Sequence, residues 1–175
     1  IQIDVKFVPS SCIVGDAKGE KFYQYTAIDE YSRFRYIEAF EEHSSYSSAI
    51  FLEHMLKAFP FPVECVQTDN GLEFTKRLIK DNSTTLFEEK LKEKGITHKL
   101  IKPYTPRHNG KVERSHRKDN EYFYASHKFY SFDDFKKQLA VHNRKYNNFP
   151  MRPLGWKSPR EFLNHFLKTG EVIFS

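Results

Sequence analysis

Ile1-Gln2-Ile3-Asp4-Val5-Lys6-Phe7 opens the chain. Its apolar residues recur at every second position, the period at which a β-strand sends alternate side chains to one face. The stretch reads as a half-buried strand with Ile1, Ile3, Val5 and Phe7 on one face and Gln2, Asp4 and Lys6 on the other. An acid in mid-strand has two readings: Asp4 faces solvent, or it lines a site.

Working outward, residues 10–20 carry Gly15 and Gly19 and read as a turn or hairpin loop. Residues 21–28 and 34–40 are rich in Phe, Tyr and Thr, and the turn at 29–33 makes the opening a three-strand meander. Residues 44–59 place Ala49, Ile50, Leu52, Met55 and Phe59 at mostly helical intervals after a run of capping serines. Pro60 and Pro62 end that helix. A short apolar strand at 63–68 leads into the Asp69-Asn70-Gly71 turn, and a charged helix at 86–94 is closed by Gly95. A fifth strand is expected at 97–101, a Pro-rich loop at 102–109, and helices at 110–125 and 132–146. The tail from 147 holds Pro150, Pro153 and Pro159 and is expected to be mostly irregular, with a short helix at 159–167. The order β-β-β-α-β-α-β-α-α implies an α/β fold with a mixed five-stranded sheet flanked by helices. A core over 1–147 and a Pro-containing C-terminal extension of it over 148–175 are the expected divisions.

The chain has 175 residues and a net charge of +5, unevenly spread. Between His98 and Arg160 there are 15 Lys or Arg against 5 Asp or Glu, a balance of +10, while the remainder balances at −5. One part of the fold therefore presents a basic surface suited to a polyanion; a solvated lysine-rich face is the plainer alternative. No apolar run approaches the roughly 20 residues of a membrane span. The two cysteines, Cys12 and Cys65, have no CxxC spacing and suggest neither a disulfide framework nor a zinc site. They fit a reducing compartment. The chain starts at Ile1 without an initiator Met and is expected to be cut from a longer protein.

Three carboxylates carry the chemistry. Taken singly each has a bland reading: Asp4 as a surface residue, Asp69 as ordinary turn chemistry, and Glu113 as an acid favoured in a first helical turn. Together they come from the first strand, the end of the fourth, and the helix beside them. Carboxylates that converge in a basic protein repel unless cations neutralise them. Oxygen-only ligands select hard cations such as Mg²⁺, and a pair of such ions supports phosphoryl transfer.

The segments Ile3-Asp4-Val5, Thr68-Asp69-Asn70-Gly71-Leu72-Glu73-Phe74 and Tyr104-Thr105-Pro106-Arg107-His108-Asn109-Gly110-Lys111-Val112-Glu113-Arg114 resemble the D-D-E signature of insertion-sequence transposases, within the retroviral integrase superfamily. The turn at 27–33 and the Pro-containing tail at 153–162 are similar too, so the likeness spans nearly the whole chain. The resemblance implies a ribonuclease-H-like fold and DNA strand cleavage and strand transfer, with Asp4, Asp69 and Glu113 as catalytic and metal-binding residues. It further implies two Mg²⁺ or Mn²⁺ ions per site, element-end and target DNA as partners, and a homo-oligomer, at least a dimer, when active. It sets the protein in the bacterial cytoplasm at the nucleoid, or in the nucleus of a eukaryote. Two departures stand out. More residues separate Asp69 from Glu113 than in many relatives, 43 here, with the excess assigned to a loop insertion at 75–85. Two turns after Glu113, where many relatives carry a basic residue, stands Asn120; Arg117, one turn after Glu113, is expected to take the phosphate contact. Lys111, Arg114 and His108 are the other candidate DNA contacts. The rival readings are a nuclease of the ribonuclease H type and a transposase-derived DNA-binding protein that has lost catalysis.

Overall fold

A computed structural model describes residues 1–79, 82–102 and 105–170. Five strands, β1 (Gln2–Phe7), β2 (Tyr23–Ile28), β3 (Arg35–Phe40), β4 (Cys65–Thr68) and β5 (Thr97–Leu100), form one sheet in the order β3-β2-β1-β4-β5. The first three pair antiparallel, as a meander must. β4 and β5 join parallel to β1, which is possible because a helix carries the chain back before each. Those helices are α1 (Ser45–Ala58) and α2 (Leu86–Glu93); α3 (Gly110–Asp119), α4 (Phe132–Asn147) and α5 (Pro159–Thr169) follow.

Strand alternation sorts the sheet into two unlike faces. Ile3, Tyr25, Ala27 and Val66 pack with Phe51, Leu52 and Met55 of α1 and Phe87 and Leu91 of α2 in one apolar core. The opposite face is apolar only towards the meander end, where Phe22, Ile37 and Ala39 meet Phe123, Phe129, Phe135 and Leu139. Beneath α3 the same face is polar: Gln2, Gln24, Thr26 and Arg35 are all buried there. α3 thus lies over side chains that must be satisfied by hydrogen bonds rather than by packing.

The helix starts follow the sequence. Ser44, Thr85, Ser131 and Ser158 each accept from a backbone N–H one turn on, and Thr85 with Glu88 and Ser158 with Glu161 close capping boxes. Residues 10–20 join the antiparallel β1 and β2, as a hairpin loop should, through two 3₁₀ turns whose Cys12, Ile13 and Ala17 are buried in the second core. Two expectations need correction. The helix expected over 110–125 is regular to Asp119 and then widens into a π turn at Asn120–Tyr124, which buries the sequence neighbours Phe123 and Tyr124 together. Asn109 does not cap α3 with its side chain, because a 3₁₀ turn over Pro106–Asn109 precedes the helix and turns that side chain elsewhere.

The C-terminal segment lies against the rest of the chain. Tyr31 meets Phe162 and Phe166 of α5 with ring centroids 5.0 and 5.5 Å apart, and Arg160 sits over the Phe34 ring. Cys12 is buried and Cys65 half-buried, and both thiols are free. Among the described residues no helix is long and apolar enough to cross a membrane.

Candidate active site

β1 and β4 run parallel with Gln2 paired to Gln67. Two residues further on come Asp4, in β1, and Asp69, the residue just past β4. The two glutamines show which face of the sheet α3 and its leading turn cover. Gln2 Nε2 donates to the His108 carbonyl at 3.1 Å, and Gln67 Nε2 donates to the same oxygen. Asp4, two residues on from Gln2 in the same strand, emerges on that face, with Asp69 as its neighbour. The pair is felt electrostatically: burial pushes the Asp69 carboxyl up, and the neighbouring Asp4 and Glu73 add to the rise.

The loop after β4 is tightly built. Gly71 N donates to Asp69 Oδ1 at 2.9 Å, and Asn70 Nδ2 donates to the Ile101 carbonyl at 2.8 Å. A Cβ on Gly71 would lie 2.5 Å from the Glu73 carboxylate. That carboxylate is in turn 2.9 Å from His43 Nε2. Glycine at 71 lets Glu73 fold back beside Asp69.

Glu113 sits in the first turn of α3 with its side chain exposed. The helix start is held by Gln2, whose Oε1 accepts from Lys111 N at 3.0 Å and Val112 N at 3.1 Å. Gln2 thus does what Asn109 was expected to do, while Asn109 Nδ2 donates to the Ile3 carbonyl at 3.2 Å. One turn after Glu113, His116 places Nδ1 3.4 Å from Asp4 Oδ2 and Nε2 2.9 Å from Thr26 Oγ1. Glu113 stands one turn before His116 on the same flank of α3. The structure brings Asp4 and Asp69 together and puts Glu113 on the flank whose His116 contacts Asp4; among the described residues no three acids, histidines or cysteines are gathered closely enough to hold an ion as they stand. The donor set nonetheless fits a hard divalent cation. It offers carboxylate oxygens from β1 and the residue just past β4, the latter pushed up by burial and by its acidic neighbours.

Neither Gln2 nor His116 was singled out in the sequence. The available signal was parity: Gln2 shares a strand face with Asp4, and His116 shares a helix flank with Glu113. A third support is buried deeper. Arg35 Nη1 lies 2.9 Å from Asp119 Oδ1 and donates to Ser115 Oγ at 2.6 Å, fixing the middle and end of α3 to β3. Gln24 Nε2 donates to Asp119 at 2.9 Å, and His142 Nε2 lies 2.6 Å from it. Burial alone would push the Asp119 carboxyl up, but Arg35 and these hydrogen bonds hold it far below the usual carboxylate range.

Of the expected DNA contacts, Arg117 is exposed on the Glu113 flank of α3. Lys111, Arg114 and His108 turn instead towards a cavity on the other side of the helix. Lys111 Nζ also donates to the Glu30 carbonyl at 2.9 Å.

Comparison with known proteins agrees with this architecture. Residues 1–106 match the family model described as "Integrase core domain", and residues 94–159 match a second model of the same description. The chain is 26% identical over 174 residues to the ORF3 protein of Spiroplasma virus SpV1-C74, which carries an integrase name; the match covers 94% of this chain and 47% of that protein. The chain thus spans about half the length of the curated relative it matches. In three dimensions it is similar to the catalytic core domain of BIV integrase, with a TM-score of 0.66 at 19% identity and 97% of each chain covered. It is also similar to a chain of the simian T-cell lymphotropic virus intasome in complex with PP2A regulatory subunit B56 gamma, with a TM-score of 0.72 at 18% identity, covering 99% of this chain and 56% of that one. These cores have the ribonuclease-H-like fold, and the mixed five-stranded sheet found here is theirs. With the first family model covering more than half of its length, this chain belongs to the integrase core domain family of the retroviral integrase superfamily.

Proposed function

We propose that the chain is the catalytic core of a transposase or integrase that cuts DNA at an element end and joins the freed 3′-hydroxyl to target DNA. What supports this reading is the neighbouring pair of Asp4 in β1 and Asp69 just past β4, with Glu113 one turn before the His116 that contacts Asp4. Two Mg²⁺ or Mn²⁺ ions bound by these three carboxylates would supply the charge neutralisation and Lewis acidity that phosphoryl transfer needs. Asp4 and Asp69 hold the reacting phosphate's counter-charges from the sheet, and Glu113 completes the site from the helix. His116 keeps Asp4 oriented through its contact with Oδ2, itself fixed by Thr26. Arg117 contacts phosphate along the same flank. No nucleophilic side chain is required, since water and then the DNA hydroxyl attack. A multimer, at least a dimer, would hold two element ends at once.

The test is an oligonucleotide cleavage-and-joining assay with Mg²⁺ on the full-length protein carrying Asp4→Asn, Asp69→Asn or Glu113→Gln. Each is expected to abolish joining while leaving DNA binding largely intact. Joining within about tenfold of the parent would remove that residue from the site. Cleavage without any joining would favour a nuclease of the same fold, and binding without cleavage in the parent would favour a DNA-binding derivative.

A further inference from the structure

A cavity of about 680 Å³ opens between α3, the turn after β2 and the loop following α4. Its size lies within the range of ligand sites, roughly 300–1,000 Å³. Lys111, Arg114 and Lys118 line it at helical spacing along one flank of α3, opposite the flank of Glu113 and His116. Arg33 and Arg152 face the same space from the two loops. Against these five cations the lining offers one acid, Glu30.

Two further observations mark the cavity as built. Among the described residues only two non-glycine positions have a left-handed backbone, Arg33 at φ 62° and Trp156 at φ 63°, and both line it. Such conformations are uncommon for bulky side chains and persist where the surrounding structure enforces them. Here Trp156 N donates to the Met151 carbonyl at 3.0 Å and Met151 N to the Lys157 carbonyl at 3.0 Å, so the loop is closed around the strained residue. The result is a tryptophan ring 70% exposed at the cavity wall. Arg33 Nη1 is buried and has no hydrogen-bond partner among the described residues. An anion entering the cavity would provide one.

We propose that this cavity binds an unpaired segment of a DNA strand, its phosphates on Lys111, Arg114, Lys118, Arg33 and Arg152 and a base stacked on Trp156. Cations set beside an exposed aromatic face are the combination that holds single strands: charge tracks the backbone and the ring accepts any base. A base inside a duplex has both faces covered by its stacked neighbours and none to offer Trp156, which is why the inference is for an unpaired strand. The lysine and arginine groups also press on one another. Burial lowers the Lys111 ammonium, and Arg33 beside it lowers it further; Arg33 is itself lowered chiefly by burial, with Arg114 adding to the fall. A polyanion relieves that repulsion. The inference rests on the DNA-processing reading for its choice of polyanion, but the cavity is separate from the carboxylate flank and is tested separately.

Trp156 is the sole tryptophan of the chain, so its fluorescence reports this cavity. Oligothymidylate and a duplex with a single-stranded tail should quench it saturably. A blunt duplex, at concentrations where labelled-DNA anisotropy shows it bound, should not. Arg114→Gln with Lys118→Gln should abolish most of the quenching and lower the salt slope of single-strand binding by about 1.4 units, at roughly 0.7 per phosphate contact. Trp156→Gly relieves the left-handed strain, so it should melt at or above the parent yet bind oligothymidylate about 5-fold to 100-fold more weakly. Equal quenching by blunt duplex, quenching unchanged in the doubly neutralised variant, or parental single-strand affinity in Trp156→Gly would overturn the proposal. Asp69→Asn should quench as the parent does. Quenching in a parent protein that itself fails to join DNA would sink the catalytic reading and keep the cavity, whereas joining by a parent whose Trp156 ignores oligothymidylate would do the reverse.

Discussion

Replacing Arg35 by Met keeps an apolar stem of similar length but leaves the Asp119 carboxylate buried without its cation. Both side chains of the pair are fully buried. The guanidinium also donates from Nε to Asn143 Oδ1 at 3.1 Å and stacks 3.7 Å from the centre of the Tyr146 ring, so the change removes four anchors at once. Breaking one partner out of a buried ion pair costs about 3–5 kcal/mol, most of it the penalty of the orphaned charge. At roughly 2–4 °C per kcal/mol for a chain of this size, the melting temperature should fall by about 6–20 °C at pH 8. The pH dependence identifies the cause. In the parent, Asp119 has a depressed folded pKa, so its stabilising contribution is present above the unfolded carboxylate range and is lost as pH falls through the folded value. In Arg35→Met, burial acts unopposed by Arg35 and the folded pKa rises. Protonation of Asp119 then relieves the variant as pH falls. The gap between parent and variant should therefore narrow from pH 8 to pH 4. Asp119→Asn added to Arg35→Met should recover part of the loss, because the asparagine is uncharged. Thermal and urea melts across pH measure all of this. A single variant within about 1 kcal/mol of the parent at every pH, or a double variant no better than the single, would show that the pair is not an electrostatic anchor.

Two further outcomes follow from the site. At neutral pH ionised Asp69 costs stability, because its folded pKa is raised by burial and by Asp4; metal-free Asp69→Asn, which keeps the Oδ1 acceptor for Gly71 N, should melt at or above the metal-free parent. Mn²⁺ at a hundredfold excess over its Kd should stabilise the parent by about 2.7 kcal/mol and the variant by little, and a variant melting clearly lower beside a parent indifferent to metal would make Asp69 a turn residue only. Gln2→Leu removes the acceptor for two helix N–H groups, at a cost of about 1–3 kcal/mol. If Gln2 positions Glu113, kcat for strand joining should fall while KM for DNA holds, and Gln2→Glu, which restores the acceptor at a helix N-terminus, should recover turnover; equal loss in both variants would assign Gln2 a purely structural part.

The strands and the two aspartates were legible because their signals are local. Alternation in 1–7 placed Asp4 opposite Ile3 and Val5, and an Asp-Asn-Gly turn closing a short apolar strand placed Asp69 at a strand end. The supports of the site were not legible, because each is a long-range bond. Gln2 meets Lys111 and Val112 more than a hundred residues away, and Arg35 meets Asp119 at a separation of 84. Nothing near Gln2 distinguishes a helix-capping glutamine from a solvated one on a strand. Asn109 had the right residue type for a cap, and the 3₁₀ turn before it removed the geometry a cap requires. In the same way the basic excess after His98 announced an anionic partner, but the division of α3 into an Arg117 flank and a Lys111–Arg114–Lys118 flank depends on which side of the helix meets the sheet.

That division gives α3 its importance. Its buried side is held at the start by Gln2, in the middle by Arg35 through Ser115 and His116 through Thr26, and at the end by Asp119. A helix fixed at three heights cannot roll, so the flank carrying Glu113 and the flank carrying the cationic cavity keep a constant relation to the Asp4–Asp69 pair. An apolar underside would have allowed sliding between near-equivalent packings, whereas directed hydrogen bonds admit one register. The polar face beneath α3 is costly to bury and contributes little that Leu and Ile could not supply. Its benefit is positional: of the three carboxylates proposed for the site Glu113 alone stands on a helix, and the hydrogen bonds beneath α3 set where that helix starts.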